Sequence, residues 1–203
     1  MIIDETTYAL PSDNYLTLEN QKKQIIIGHT FNHDMKHYTG WLHRYHGKYK
    51  RTTPYTIASN GLIYKHFNPK YESIYFKNKE LDNKSIVILL ENDGWLLKDS
   101  KKDEYISWLG CIYREPREVV EKRWRGFMYW SPYSKEQMES AIKLVKMLCV
   151  EFNIPSKSIS HNTKVDDLIG YEGVLYKSNL DKHYTDLNPT WSFEEFKIKI
   201  ETN

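Results

Sequence analysis

Cysteine is scarce in this chain of 203 residues, which has only Cys111 and Cys149. Two thiols are too few for a disulfide framework and show no CxxC spacing, so thiolate-pair metal binding is not expected and a reducing compartment suits them. Cys149 reads as a small packed residue. Long apolar runs are also missing: nothing approaches the ~18–20 consecutive apolar residues of a membrane span. The opening, MIIDETTYALPSDNY, lacks the basic end and apolar centre of a signal peptide, so export by its own signal is not expected. Net charge is close to nil as well, 29 Lys and Arg against 27 Asp and Glu. With the cations read as spread along the chain, no basic stripe is expected and nucleic acid is not an expected partner. No internal repeat and no Gly/Ser or Pro tract marks a linker, so a single domain over 1–203 is expected.

Aromatic residues, by contrast, are abundant: 16 Tyr and 6 Trp exceed what a core of this size needs, and tyrosine-rich surfaces mark contact with a polymer or a partner protein. Short β-branched runs, QIIIG at 24–28 and SIVILL at 85–90, read as buried strands. Residues 35–45 place Met35, Tyr38, Leu42 and Tyr45 at helical spacing, with Gly40 as the weak point. Tyr55–Ala58 and Leu62–Phe67, joined by Ser59-Asn60-Gly61, read as an antiparallel hairpin. Ser134 and Gln137 form a capping box for a helix over 135–152, with Met138, Ala141, Ile142, Val145, Leu148, Cys149 and Phe152 inward and Pro155 beyond its end. The tail, 192–200, reads as a short closing helix, although its KIKI alternation also permits a strand. Residues 98–129 show no period and read as loop and insertion. Together these elements predict an α/β fold, a mixed central sheet flanked by helices.

Five segments in order carry a resemblance. KKQIIIGHTFN from Lys22, TPYTIASNGLIYKHFNPKYESIYFK from Thr53, SIVILLENDGWL from Ser85, WRGFMYWSPYSKEQ from Trp124 and GVLYKSNLDKHYTDLNPTW from Gly173 resemble the zinc-dependent N-acetylmuramoyl-L-alanine amidase family. Phage lysozyme-amidases and peptidoglycan recognition proteins share its fold. The resemblance implies that fold for nearly the whole chain. It also implies a Zn²⁺ held by three protein ligands, two histidines and an aspartate or cysteine, activating water against the amide between the lactyl group and alanine. A glutamate assists as general base.

Aligned motif by motif, the catalytic positions are degenerate. The family's first ligand histidine falls on Gly28, its second on Lys177 and its glutamate on Leu89; only Asp186 keeps a ligand's identity. Glu91 lies about 6–7 Å further along Leu89's strand, on the same face. Glu72 and Tyr75 stand where the family has Trp and His. No metal and no catalytic residue is therefore expected. Lys177 is expected to place its ammonium where zinc would sit and to pair with Asp186. Tyr55, Glu72, Tyr75, Trp95, Lys177 and Asp186 are candidates for the binding groove.

The leading expectation is a catalytically inactive amidase-like protein that binds peptidoglycan or a protein partner. It is expected to act as a binding or structural component, cytoplasmic before assembly, with a phage virion as the expected setting. One alternative is an active zinc amidase that lyses cell wall with rearranged ligands, His29, His161, His183 and Asp186. Another is an inhibitor or regulator of a partner protein. The histidines 33, 37, 43 and 46 are expected on a solvated face.

Overall fold

The computed structural model describes residues 1–115 and 117–202. One six-stranded sheet is assembled from β1 (Ile3–Asp4), β2 (Gln24–His29), β3 (Tyr55–Ile57), β4 (Ile63–Lys65), β5 (Ser85–Leu90) and β10 (Gly173–Tyr176), in the order β1-β4-β3-β5-β2-β10. All pairs are parallel except the β3–β4 hairpin. Every residue of β2 and β5 is buried, the reason both strands read as unbroken apolar runs. The hairpin closes on Gly61, whose φ of +84° is open to glycine at little cost.

Helices cover both faces. On one face, α3 (Lys135–Phe152) and α5 (Phe193–Glu201) pack on Ile25, Ile27, Ile86, Ile88, Val174 and Tyr176. The α3 capping box is present, and the helix ends at Asn153 in the left-handed region two residues before Pro155. Its buried face includes Leu144, whereas Ile142 and Phe152 are only partly buried. The tail is helical, with Phe196 fully buried. On the other face, α1 (Lys36–His43) sends Trp41 against Val87 and Leu89. α1 is shorter than the expected 35–45: beyond His43 the chain turns through Tyr45 and His46 at positive φ. Tyr45 is left 75% exposed and Trp41 is the buried anchor. Two short helices, α2 (Lys79–Lys84) and α4 (Lys177–Leu180), lead into β5 and out of β10.

The reading of 98–129 as loop requires a correction, because four strands run into and through this stretch. β6 (Trp95–Asp99), β7 (Glu104–Ser107), β8 (Val120–Trp124) and β9 (Phe127–Trp130) form a second, antiparallel sheet in the order β7-β6-β9-β8. β8 has no buried residue and β6 and β9 have one each. A sheet without a continuous buried face imposes no clean period of two, so the sequence showed none.

Candidate functional site

Parallel register alone assembles the centre of the site. Gly28 on β2 is level with Leu89 on β5. Tyr176 on β10 is level with Ile27, so Lys177, the next residue, arrives beside Gly28. A Cβ on Gly28 would lie 2.6 Å from Asp186 Oδ2, 3.4 Å from a Leu89 methyl and 3.4 Å from Lys177 Cδ. Gly28, Leu89, Lys177 and Asp186 thus meet at one point, on the sheet face opposite α3.

Lys177 Nζ is 3.2 Å from Asp186 Oδ2, the expected pair. Asp186 is fully buried, and the same oxygen accepts the His29 backbone N–H at 3.2 Å, while Oδ1 has no partner among the described residues. The ammonium also faces the rings of Tyr184, Tyr75 and Phe31, 4.7, 5.4 and 6.0 Å from their centroids. Burial works against the charge on Lys177, but the Asp186 carboxylate, supported by Tyr75 and Tyr184, outweighs it and holds the ammonium above its ordinary range. Lys177 is therefore a fixed cation rather than a base or nucleophile.

The donor chemistry does not fit zinc. At this point stand a glycine, a hydrocarbon, an ammonium and one carboxylate that the ammonium already occupies, whereas zinc requires several neutral or anionic donors. The rearranged set does not assemble either. The ring of His29 is buried, with Nδ1 2.7 Å from the Tyr133 hydroxyl. Its pKa is pulled down to about 4, chiefly by burial. His161 bonds Thr163 at the surface and His183 is exposed. Among the described residues, no three His, Cys, Asp or Glu side chains are placed to hold a metal ion.

Glu91 is engaged by the backbone. Its carboxylate accepts the backbone N–H of Met35 at 2.8 Å and of Ser59 at 3.1 Å, tying the start of α1 to the β3–β4 turn. Burial raises its pKa.

A groove of about 390 Å³ opens over the pair, walled by α1 residues and by Tyr75, Phe76, Trp108, Lys177 and Tyr184. Of the expected groove residues, Tyr75 and Lys177 line it, and Asp186 lies buried beside them. Tyr55, Glu72 and Trp95 do not. Tyr55 belongs to the core under α3, because it pairs with Ile88 and shares that face. Glu72 is buried and accepts from Asn20. Trp95 stacks on Phe127 within the second sheet, centroids 4.4 Å apart.

The histidines of α1 and its flanks do not share one solvated face. His33 contacts buried Asp93 at 3.0 Å. His37 and His66 meet Thr56 Oγ1 from two sides, at 3.0 and 2.8 Å. Only His43 and His46 are exposed. The tertiary position of Thr56, next to Leu89 in register, draws His37 inward.

One positioning residue escaped the sequence reading. Arg125, at the β8–β9 turn, donates to the carbonyls of Asp181, Tyr184, Asn162 and Ser178. It stands over Trp124 at 4.5 Å. The second sheet thereby grips the loop that carries Lys177 and Asp186. The WRG triplet was visible as a motif, but its partners lie dozens of residues away.

This mixed sheet with parallel strands ending beneath an aromatic groove matches the fold of solved amidases and a peptidoglycan recognition protein. The family model described as N-acetylmuramoyl-L-alanine amidase matches residues 19–171, about three quarters of the chain, and the chain belongs to that family. The match ends before Lys177 and Asp186. A search of curated proteins returns no match. Solved structures share the fold. The N-acetylmuramoyl-L-alanine amidase LysC from Clostridium intestinale URNW is 14% identical with a TM-score of 0.54, covering 100% of this chain and 99% of that one. PlyL is 11% identical with a TM-score of 0.58, covering 100% and 98%. Peptidoglycan recognition protein-LE, in complex with tracheal cytotoxin, is 12% identical with a TM-score of 0.53, covering 97% and 92%.

Proposed function

We propose that this protein is a non-catalytic member of its family that binds peptidoglycan through the groove above the Lys177–Asp186 pair. The observation that carries the reading is the pair itself. An internal ammonium 3.2 Å from Asp186 Oδ2 neutralises the one remaining carboxylate, so the site keeps its shape without a metal. Gly28 and Leu89 leave neither a second ligand nor a general base beside it. Zinc has no place in this reading, and no hydrolytic step is assigned to the chain. The groove retains the aromatic walls and polar ends suited to a sugar–peptide polymer. A wall-binding role without hydrolysis suits an attachment or structural part of a phage particle, and mass spectrometry of purified particles tests that setting.

The decisive experiment equilibrates the purified protein with stoichiometric Zn²⁺, removes loosely bound metal, and measures zinc content together with peptide release from purified cell wall and cosedimentation with it. The expected result is no zinc, no release and retention on the wall. About one zinc per chain with peptide release overturns the reading in favour of an active amidase. Absence from the wall pellet overturns it in favour of a protein-binding role.

A further inference from the structure

A second concavity of about 580 Å³ adjoins the groove and shares Arg44, Tyr49 and Arg51 with it. Its other walls include Tyr45, Lys48 and Lys77. Among the described residues, neither concavity has an Asp or Glu in its lining. In a chain of net charge +2, this is segregation of charge by the fold, and it corrects the expectation of evenly spread cations. The sequence carries a trace of it: Met35 to Tyr71 contains no Asp or Glu. Lys77 joins from beyond that stretch.

These cations have no internal counter-ion among the described residues. Among the described residues, Arg44, Lys48, Arg51 and Lys77 form no ion pair. Arg51 is oriented by donating Nε and Nη2 to the Tyr75 carbonyl at 3.1 and 3.0 Å. The Arg44 guanidinium rests over Tyr49 at 5.3 Å, and Tyr49 stacks with Tyr45 at 5.8 Å. Two guanidinium groups braced this way, with two exposed ammonium groups, present a concentrated positive field at the mouth of the groove.

We propose that this outer basic pocket is a subsite for a phosphodiester-linked polymer attached to the bacterial wall, engaged while the groove holds peptidoglycan. The inference rests on the groove being a wall-binding site. Charge density selects the ligand: four unpaired cations in one opening match a chain with an anion in every repeat better than the sparse carboxylates of a peptide stem. Guanidinium forks suit phosphate oxygens, and the stacked tyrosines offer a face to the intervening sugar or polyol. The cavity's volume lies in the range that takes small flexible ligands, which disfavours a stiff nucleic-acid duplex.

The test compares retention on untreated Gram-positive cell wall with retention on wall stripped of phosphodiester-linked polymer by hydrofluoric acid, and adds soluble poly(glycerol phosphate) as a probe. Wild-type protein is expected to bind untreated wall roughly tenfold more tightly than stripped wall at moderate salt, with an advantage that shrinks as salt rises. The double variant Lys48→Glu/Lys77→Glu, its fold checked by thermal melt, is expected to lose that advantage and to lose binding to poly(glycerol phosphate). Equal binding to both walls, or a double variant that binds untreated wall as wild type does, overturns the subsite while leaving the groove reading intact. Binding to poly(glycerol phosphate) without retention on stripped wall overturns the groove reading and keeps the subsite. Displacement of poly(glycerol phosphate) by duplex DNA at equal phosphate concentration overturns the choice of a wall polymer.

Discussion

The carboxylate of Asp186 stands 2.6 Å from the point where a side chain on Gly28 would begin. The glycine and the aspartate are one arrangement. With no Cβ on β2, the carboxylate reaches over the strand to accept the His29 N–H and to meet Lys177.

Gly28→Ala is expected to destabilise the protein by about 1–3 kcal/mol, the cost of forcing an atom into a filled site. The loss should be strongly non-additive with Asp186→Ala, since the second substitution removes the atom that clashes. Denaturant titration of the two single variants and the double variant measures the coupling, and simple additivity would count against this packing.

Lys177→Met leaves a buried carboxylate without its counter-ion, and a loss of about 3–5 kcal/mol is expected. Adding Asp186→Asn should recover part of it, because the remaining group is then neutral and its amide oxygen still suits the His29 N–H. Urea midpoints of the two variants decide the matter; a double variant less stable than Lys177→Met alone contradicts the pairing.

Arg125→Ala removes four carbonyl contacts, three to Ser178, Asp181 and Tyr184 beside the site and one to Asn162. Hydrogen bonds from a charged donor contribute on the order of 1.5–3 kcal/mol each, and the four share one side chain, so a total near 3 kcal/mol is expected. The distinguishing readout is local: amide exchange should accelerate over 178–184 before it does in the central strands.

Three histidines, His29 and His66 buried and His37 partly buried, set a pH dependence. Burial is the leading cause in each, drawing His29 and His66 down to about 4 and His37 to about 3. Their folded pKa values lie below the unfolded value of about 6.5, so between roughly pH 6.5 and 4 the unfolded chain binds more protons than the folded one. Stability is therefore complete above about pH 6.5 and falls with decreasing pH through that window, by up to about 1.4 kcal/mol per pH unit for each histidine. Denaturant unfolding at pH 7, 6 and 5 checks the slope, and His66→Gln should flatten it.

The central strands, the hairpin and the long helix were legible because each is dictated locally. Ser85–Leu90 is apolar throughout, Asn60-Gly61 supplies a turn, and Ser134 with Gln137 starts α3. The second sheet was not legible, since its strands have little buried surface to impose alternation. Nor was groove membership, which depends on tertiary placement: Tyr55 on β3 faces the core, whereas Trp41 on α1 and Tyr49 and Tyr184 in connecting segments line the groove.

The amino-acid order by itself determined the central apolar strands, the hairpin and the long helix, and which chemical groups stand at the strand ends, because apolar periodicity, capping and turn residues act over a few neighbours. Only the tertiary structure decided that Gly28, Leu89, Lys177 and Asp186 meet, that Arg125 reaches across to hold their loop, and that cations from 44–51 and Lys77 gather around one opening. Those relations join residues far apart in the chain, and they are fixed by strand register and sheet packing, which no local pattern encodes.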